Sequence, residues 1–227
     1  MERAIMLGAN VSHAMRWRRQ AGIPIDDPIA GLIAVKAIQQ YMEAARRQQF
    51  RMVESRAAEA HAQARHVTDD PTAFNDVWSA SAQYDAELHF YASAWALIGR
   101  MIKRMKRRSG FKAFGTAHKT WGPLFKHYAD LRDHLEHFEQ RLPGMDRGDA
   151  YLRRPDPRNP PDTKSYGWDS EGPGTIRIGE QTWDVSLASL LQLESLVQEL
   201  FRNLEQEATA IIASAQAQPS TAECASE

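Results

Sequence analysis

The chain of 227 residues contains a single cysteine, Cys224, near its C-terminal end. One thiol excludes an intrachain disulfide framework and a cysteine-based zinc site, and the expected setting is reducing and cytoplasmic. Long apolar runs are missing too. The best candidate, from Ile29 to Tyr41, is interrupted by Lys36 and Gln39, so no membrane-spanning helix is expected. The N-terminus lacks the basic, then apolar, then small-residue order of a signal peptide, because Arg16, Arg18 and Arg19 come too late. No Gly-rich phosphate loop, nucleophile elbow or HExxH zinc motif is present. Repeats of 20–50 residues are also absent.

Glycine and proline are scarce except in one stretch. Positions 143–174 hold six Pro and five Gly, and the rest of the chain shares only 13. That stretch therefore reads as one long connection between a helical body and a C-terminal unit. Before it, Asp26-Asp27-Pro28 is a helix start, with an acidic cap followed by Pro in the first turn. A short basic amphipathic helix is expected ahead of it, ending at Gly22-Ile23-Pro24. A long helix is expected from Pro28 toward His66, and Asp69-Asp70-Pro71 starts a second. In the second, Phe74, Val77, Trp78, Tyr84, Leu88, Tyr91, Trp95, Ile98 and Ile102 follow a three-four spacing. That spacing predicts burial for Trp78 and Trp95. The third has a seam at Trp121, Leu124, Tyr128, Leu131, Leu135, Phe138 and Leu142, closed by Pro143-Gly144.

After the connection, residues 175–185 read as a β-hairpin around Gly179-Glu180, and Ser186 caps a last helix over 186–212. The tail at 214–227 is polar, small-residue-rich and expected to be disordered. The fold class that follows is all-α: an up-and-down bundle of four or five helices in a single domain over 1–213, with a small β-hairpin after the long Pro/Gly loop.

Net charge is only −1, yet the charge is unevenly placed. From Leu88 to Ala129 there are nine Lys or Arg and no acid. The remainder carries 19 basic and 29 acidic side chains, and from Glu180 onward there are eight acids and one Arg. Such asymmetry creates a positive region suited to a polyanion, and Lys103, Arg104, Lys106, Arg107 and Arg108 are its densest part. Cations at the end of a helix are also favoured by the helix dipole, which accounts for part of the run without any ligand.

On a wheel of the third helix, Arg132, Asp133, Glu136 and His137 share one face turned away from the Leu131 seam. Asp133 and His137 are four apart, as are Arg132 and Glu136, so each pair is placed to interact. An Arg fork matches phosphate oxygens, and His moves protons near neutral pH. A solvated helix face has the same composition.

Arg132-Asp133-His134-Leu135-Glu136-His137 resembles the R-x4-H form of the R-x4–6-H motif of the HEPN superfamily, in which a polar residue follows the Arg late in a bundle helix. The resemblance implies a helical homodimer with facing motif helices, and a metal-independent endoribonuclease that needs no cofactor. By that likeness His137 assists attack of the RNA 2′-hydroxyl, Arg132 stabilises the phosphoryl charge, and Asp133 orders the pair, giving 2′,3′-cyclic phosphate ends. It further implies a toxin–antitoxin or phage-defence role, with a nucleotidyltransferase-like antitoxin as partner. Some toxin members carry a Tyr two positions after the His, where this chain has Glu139.

Two alternatives accompany this expectation. One is a non-catalytic helical dimer serving as an interaction module. The other is a divalent-metal site formed by Asp85, His89, Asp133 and His137, although the Glu-x-x-His signature of di-iron bundles is absent.

Overall fold

The computed structural model describes residues 2–66, 70–136, 174–178 and 181–217. Five helices and a hairpin follow in the order α1 (Glu2–Gln20), α2 (Ile29–His66), α3 (Ala73–Arg108), α4 (Lys112–Glu136), β1 (Thr175–Ile178), β2 (Gln181–Asp184) and α5 (Leu187–Gln216). The protein is an all-α bundle with a small antiparallel hairpin. Among the described residues, no helix is long and apolar enough to cross a membrane.

The helix starts read from the sequence are made by the caps expected of them. Asp27 Oδ1 accepts the Ile29 N–H at 2.9 Å, and Asp70 Oδ1 accepts the Thr72 N–H at 2.9 Å. The Thr72 backbone and hydroxyl bonds hold the Asp70 carboxyl below the usual carboxylate range. Ser186 Oγ accepts the Ala188 N–H at 3.1 Å at the start of α5.

Some boundaries differ from expectation. α1 is a full 19-residue helix rather than a short one, because Leu7, Val11, Ala14 and Met15 bury one stripe. α4 begins at Lys112, well before the seam, where Glu207 supplies its cap; Pro123 lies inside it. α5 runs to Gln216, four residues past the expected end. The expected seam members Phe138 and Leu142, the 143–173 stretch, the Gly179-Glu180 turn and the tail from 218 lie outside the described residues.

Contacts divide the chain into two compact units: residues 1–42, 97–123 and 194–227, and residues 43–96 and 124–193. Helices α2 to α5 each contribute a segment to both. In the first unit, Val11, Met15, Val35, Ile38, Ile98, Ile102, Phe114 and Leu204 are fully buried. There α1 and α2 approach so closely that a Cβ on Gly8 would lie 2.7 Å from Leu32 Cδ1, and one on Gly31 2.7 Å from Met15 Sδ.

The second unit has an aromatic core. Trp95 stacks on Tyr128 with ring centroids 4.1 Å apart, and Tyr91 meets Tyr128 edge-on at 6.3 Å. The hairpin pairs Ile176 with Trp183, and both are fully buried. The Trp183 indole donates to the His127 carbonyl at 2.8 Å and stacks on the His127 ring. Gly174 opens the hairpin with φ +94°, and a Cβ there would lie 2.5 Å from Ser186 Cβ.

Trp78, expected in the core, is 64% exposed, and Phe74 is 55% exposed. Both lie in the first two turns of α3, where the helical period continues but no described segment covers that face. Leu187 and Leu191 are likewise exposed at the start of α5.

Candidate functional site

The R-x4-H motif falls at the end of α4. Leu131 is fully buried, as its seam position requires, but Arg132 does not face open solvent as the wheel suggests: its side chain is only 16% exposed. Its Nη2 donates to Asp133 Oδ1, and its Nε lies 3.2 Å from Glu136 Oε1, within ion-pair range but without hydrogen-bond alignment. The Arg132–Glu136 pairing expected from the four-residue spacing is therefore present. Asp133, which the four-residue spacing places beside His137, accepts from the neighbouring Arg132 guanidinium through Oδ1. His137 lies outside the described residues. Across from α4, His89 Nε2 on α3 is 3.9 Å from the same Glu136 oxygen.

One guanidinium thus serves two carboxylates, and the described part of the motif, Arg132 to Glu136, holds one Arg against Asp133 and Glu136. A phosphate oxygen approaching Arg132 would compete with Asp133 and Glu136 for the guanidinium and meet their repulsion.

Of the metal alternative, Asp85, His89 and Asp133 are described and form no group of three that could hold an ion, while His137 lies outside the described residues. Asp85 has Arg56 and Glu59 as its charged neighbours, whereas His89 meets Glu136. Burial pushes the Asp85 carboxyl up to about 6. Asp130, four residues before His134 as Asp85 is before His89, is held by Lys126 at 2.6 Å. Among the described residues no group of three His, Cys, Asp or Glu stands close enough to hold a metal ion.

The basic run behaves differently. Lys103, Arg104, Lys106, Arg107 and Arg108 are all exposed in the last turns of α3. Arg108 pairs with Asp26 at 3.3 Å, and the other four have no ion-pair partner among the described residues. The start of the next helix lies within the same field. Burial, followed by the charges of Lys106, Lys103 and Arg107, lowers the pKa of His118 on α4 below the ordinary imidazole value. The α3–α4 corner is thus one positive surface.

Its shape is set by groups that the sequence does not single out. Arg18 on α1 donates to the Gly110 carbonyl and, at 3.2 Å, to Glu207 on α5. Glu207 in turn accepts the first N–H groups of α4, from Lys112 at 2.9 Å and Ala113 at 3.0 Å. An acid on a distant helix caps α4, and no local spacing announces such a contact.

Compared with known proteins, the chain matches no family model, no curated protein and no solved structure.

Proposed function

We propose that this protein binds RNA through the exposed α3–α4 corner, as a HEPN-like helical protein. The observation that carries this reading is the set of four exposed cations, Lys103, Arg104, Lys106 and Arg107, without acidic partners among the described residues. Cations left in water and close enough to depress a neighbouring imidazole form a site that a phosphate backbone neutralises.

Cleavage is a further step. It requires the Arg132 guanidinium to leave Asp133 and Glu136, and His137 to meet it at a phosphodiester, with a second copy supplying the facing helix in the HEPN-like arrangement. RNA binding is therefore the primary reading, and a metal-independent nuclease of the toxin or defence kind is its extension. Cyclic-phosphate ends formed in EDTA, and lost in Arg132→Ala and His137→Ala, would establish that extension.

The binding test is charge reversal of Lys103, Arg104, Lys106 and Arg107 to Glu, read by fluorescence anisotropy on a labelled RNA across a salt series. Four phosphate contacts give a slope of log K against log salt of about −3, and the reversed variant should lose binding. Salt-independent binding, or binding unchanged by the reversal, refutes RNA recognition at this corner. In that outcome a helical interaction module is the better reading, and exposed Phe74 and Trp78, in edge-on contact at 6.2 Å, favour it.

A further inference from the structure

Beyond their close approach at Gly8 and Gly31, α1 and α2 enclose an open groove of about 660 Å³. Such a volume lies within the range of small-ligand pockets and suits one nucleotide. Ser12, Arg16 and Arg19 line one side, four and three residues apart and so on one face of α1. Ile29 and Leu32 of α2 supply an apolar floor, and Ile29 is 56% exposed although it begins a helix packed into the core. Arg16 and Arg19 are exposed and have no ion-pair partner among the described residues. The one acid in the lining is Asp27, and its Oδ1 is engaged by the Ile29 N–H at 2.9 Å.

The groove adjoins the basic corner. The Asp26 N–H donates to the Arg108 carbonyl at 2.8 Å, and the two side chains pair at 3.3 Å. Asp27 and Pro28 are the next residues, so the mouth of the groove begins about one residue, roughly 4 Å, from the end of the basic run. The acid nearest the end of the basic run, Asp26, is paired with Arg108, and the acid in the groove, Asp27, caps α2.

We propose that this groove receives one unpaired base of single-stranded RNA, with the flanking phosphates on Arg16 and Arg19. The inference rests on the RNA-binding reading above and adds strandedness to it. Charge alone would not ask for an apolar floor. Aliphatic carbons of Ile29 and Leu32 beneath a splayed-out base supply the contact that a free base offers and a paired base does not. The remaining Asp27 oxygen is an acceptor for a base amino group, and its charge directs the phosphate to the opposite, arginine side.

The test compares three labelled probes by anisotropy on the full chain: a single-stranded RNA, the same strand in a duplex, and a single strand with abasic positions. Wild type should prefer the first by about tenfold, the scale of one stacked base. Ile29→Ser should remove most of that preference, and Ile29→Val should keep it. Arg16→Ala with Arg19→Ala should also reduce the salt slope by about 1.4. All three side chains are exposed, so unchanged helix content by circular dichroism is expected for each variant. Equal affinity for all three probes, with Ile29→Ser indistinguishable from wild type while reversal of the basic run still abolishes binding, overturns the groove and leaves the RNA reading standing. No salt-dependent binding to any probe overturns both.

Discussion

Removing the Glu207 carboxylate tests how α4 is started. Glu207 accepts two N–H groups of the α4 N-terminus, at 2.9 and 3.0 Å, and pairs with Arg18 at 3.2 Å. Losing a helix cap costs about 1 kcal/mol. The ion pair is more protected than a surface pair, since each side chain is only 18% exposed, and its loss leaves a guanidinium short of one partner. That adds about 1–2 kcal/mol, at the upper end for exposed pairs and well below the cost of breaking a fully buried one. Arg18 retains the Gly110 carbonyl and lies over the Phe111 ring at 5.3 Å, which limits the damage. Glu207→Ala should therefore lose about 2–3 kcal/mol in urea unfolding followed by far-ultraviolet circular dichroism, or roughly 5–10 °C in Tm for a chain of this size. Glu207→Gln keeps one carbonyl acceptor and should lose about half as much. In a double-mutant cycle with Arg18→Met the two residues should couple by about 1 kcal/mol. A loss under about 0.5 kcal/mol for Glu207→Ala, or strict additivity with Arg18→Met, would refute this account of the cap.

Two further outcomes follow from the second unit. The Asp85 carboxyl is raised to about 6, chiefly by burial, so between about pH 4 and 6 the folded state holds a proton that the unfolded state has released. Stability from this group therefore falls as pH rises through that window. Asp85→Asn should flatten that dependence and be more stable than wild type above about pH 6; a variant with the wild-type pH profile would contradict the assignment. Trp183→Phe keeps a ring against His127 but removes the 2.8 Å donor to its carbonyl. It should cost about 1–3 kcal/mol in guanidinium unfolding, and a neutral result would mean that the indole bond does not anchor the hairpin.

The elements were legible where a period and its caps agreed. Asp27, Asp70 and Ser186 each bond the backbone expected of a cap, and Tyr84, Leu88, Tyr91 and Trp95 are buried at their three-four spacing. The same period failed at Trp78 and Phe74, since periodicity shows which residues share a face and not whether another segment covers it. The candidate site was legible in part. The Arg132–Glu136 contact follows from four-residue spacing on one helix, and the exposure of the Lys103–Arg108 run follows from its charge. That Arg132 is largely shielded from water and shared between two carboxylates was not readable, because shielding depends on what α4 packs against.

Local order and charge distribution were determined by the sequence alone, because caps, helical repeat and a stretch without acids act within a few residues. Tertiary structure decided which charges are spent and which stay free. It brought Glu207 from α5 to the start of α4, left Lys103, Arg104, Lys106 and Arg107 in water, and set Arg16 and Arg19 across a groove from Ile29. Those outcomes depend on distances between residues far apart in the chain, which are fixed only when the helices pack and the α1–α2 backbones close at Gly8 and Gly31.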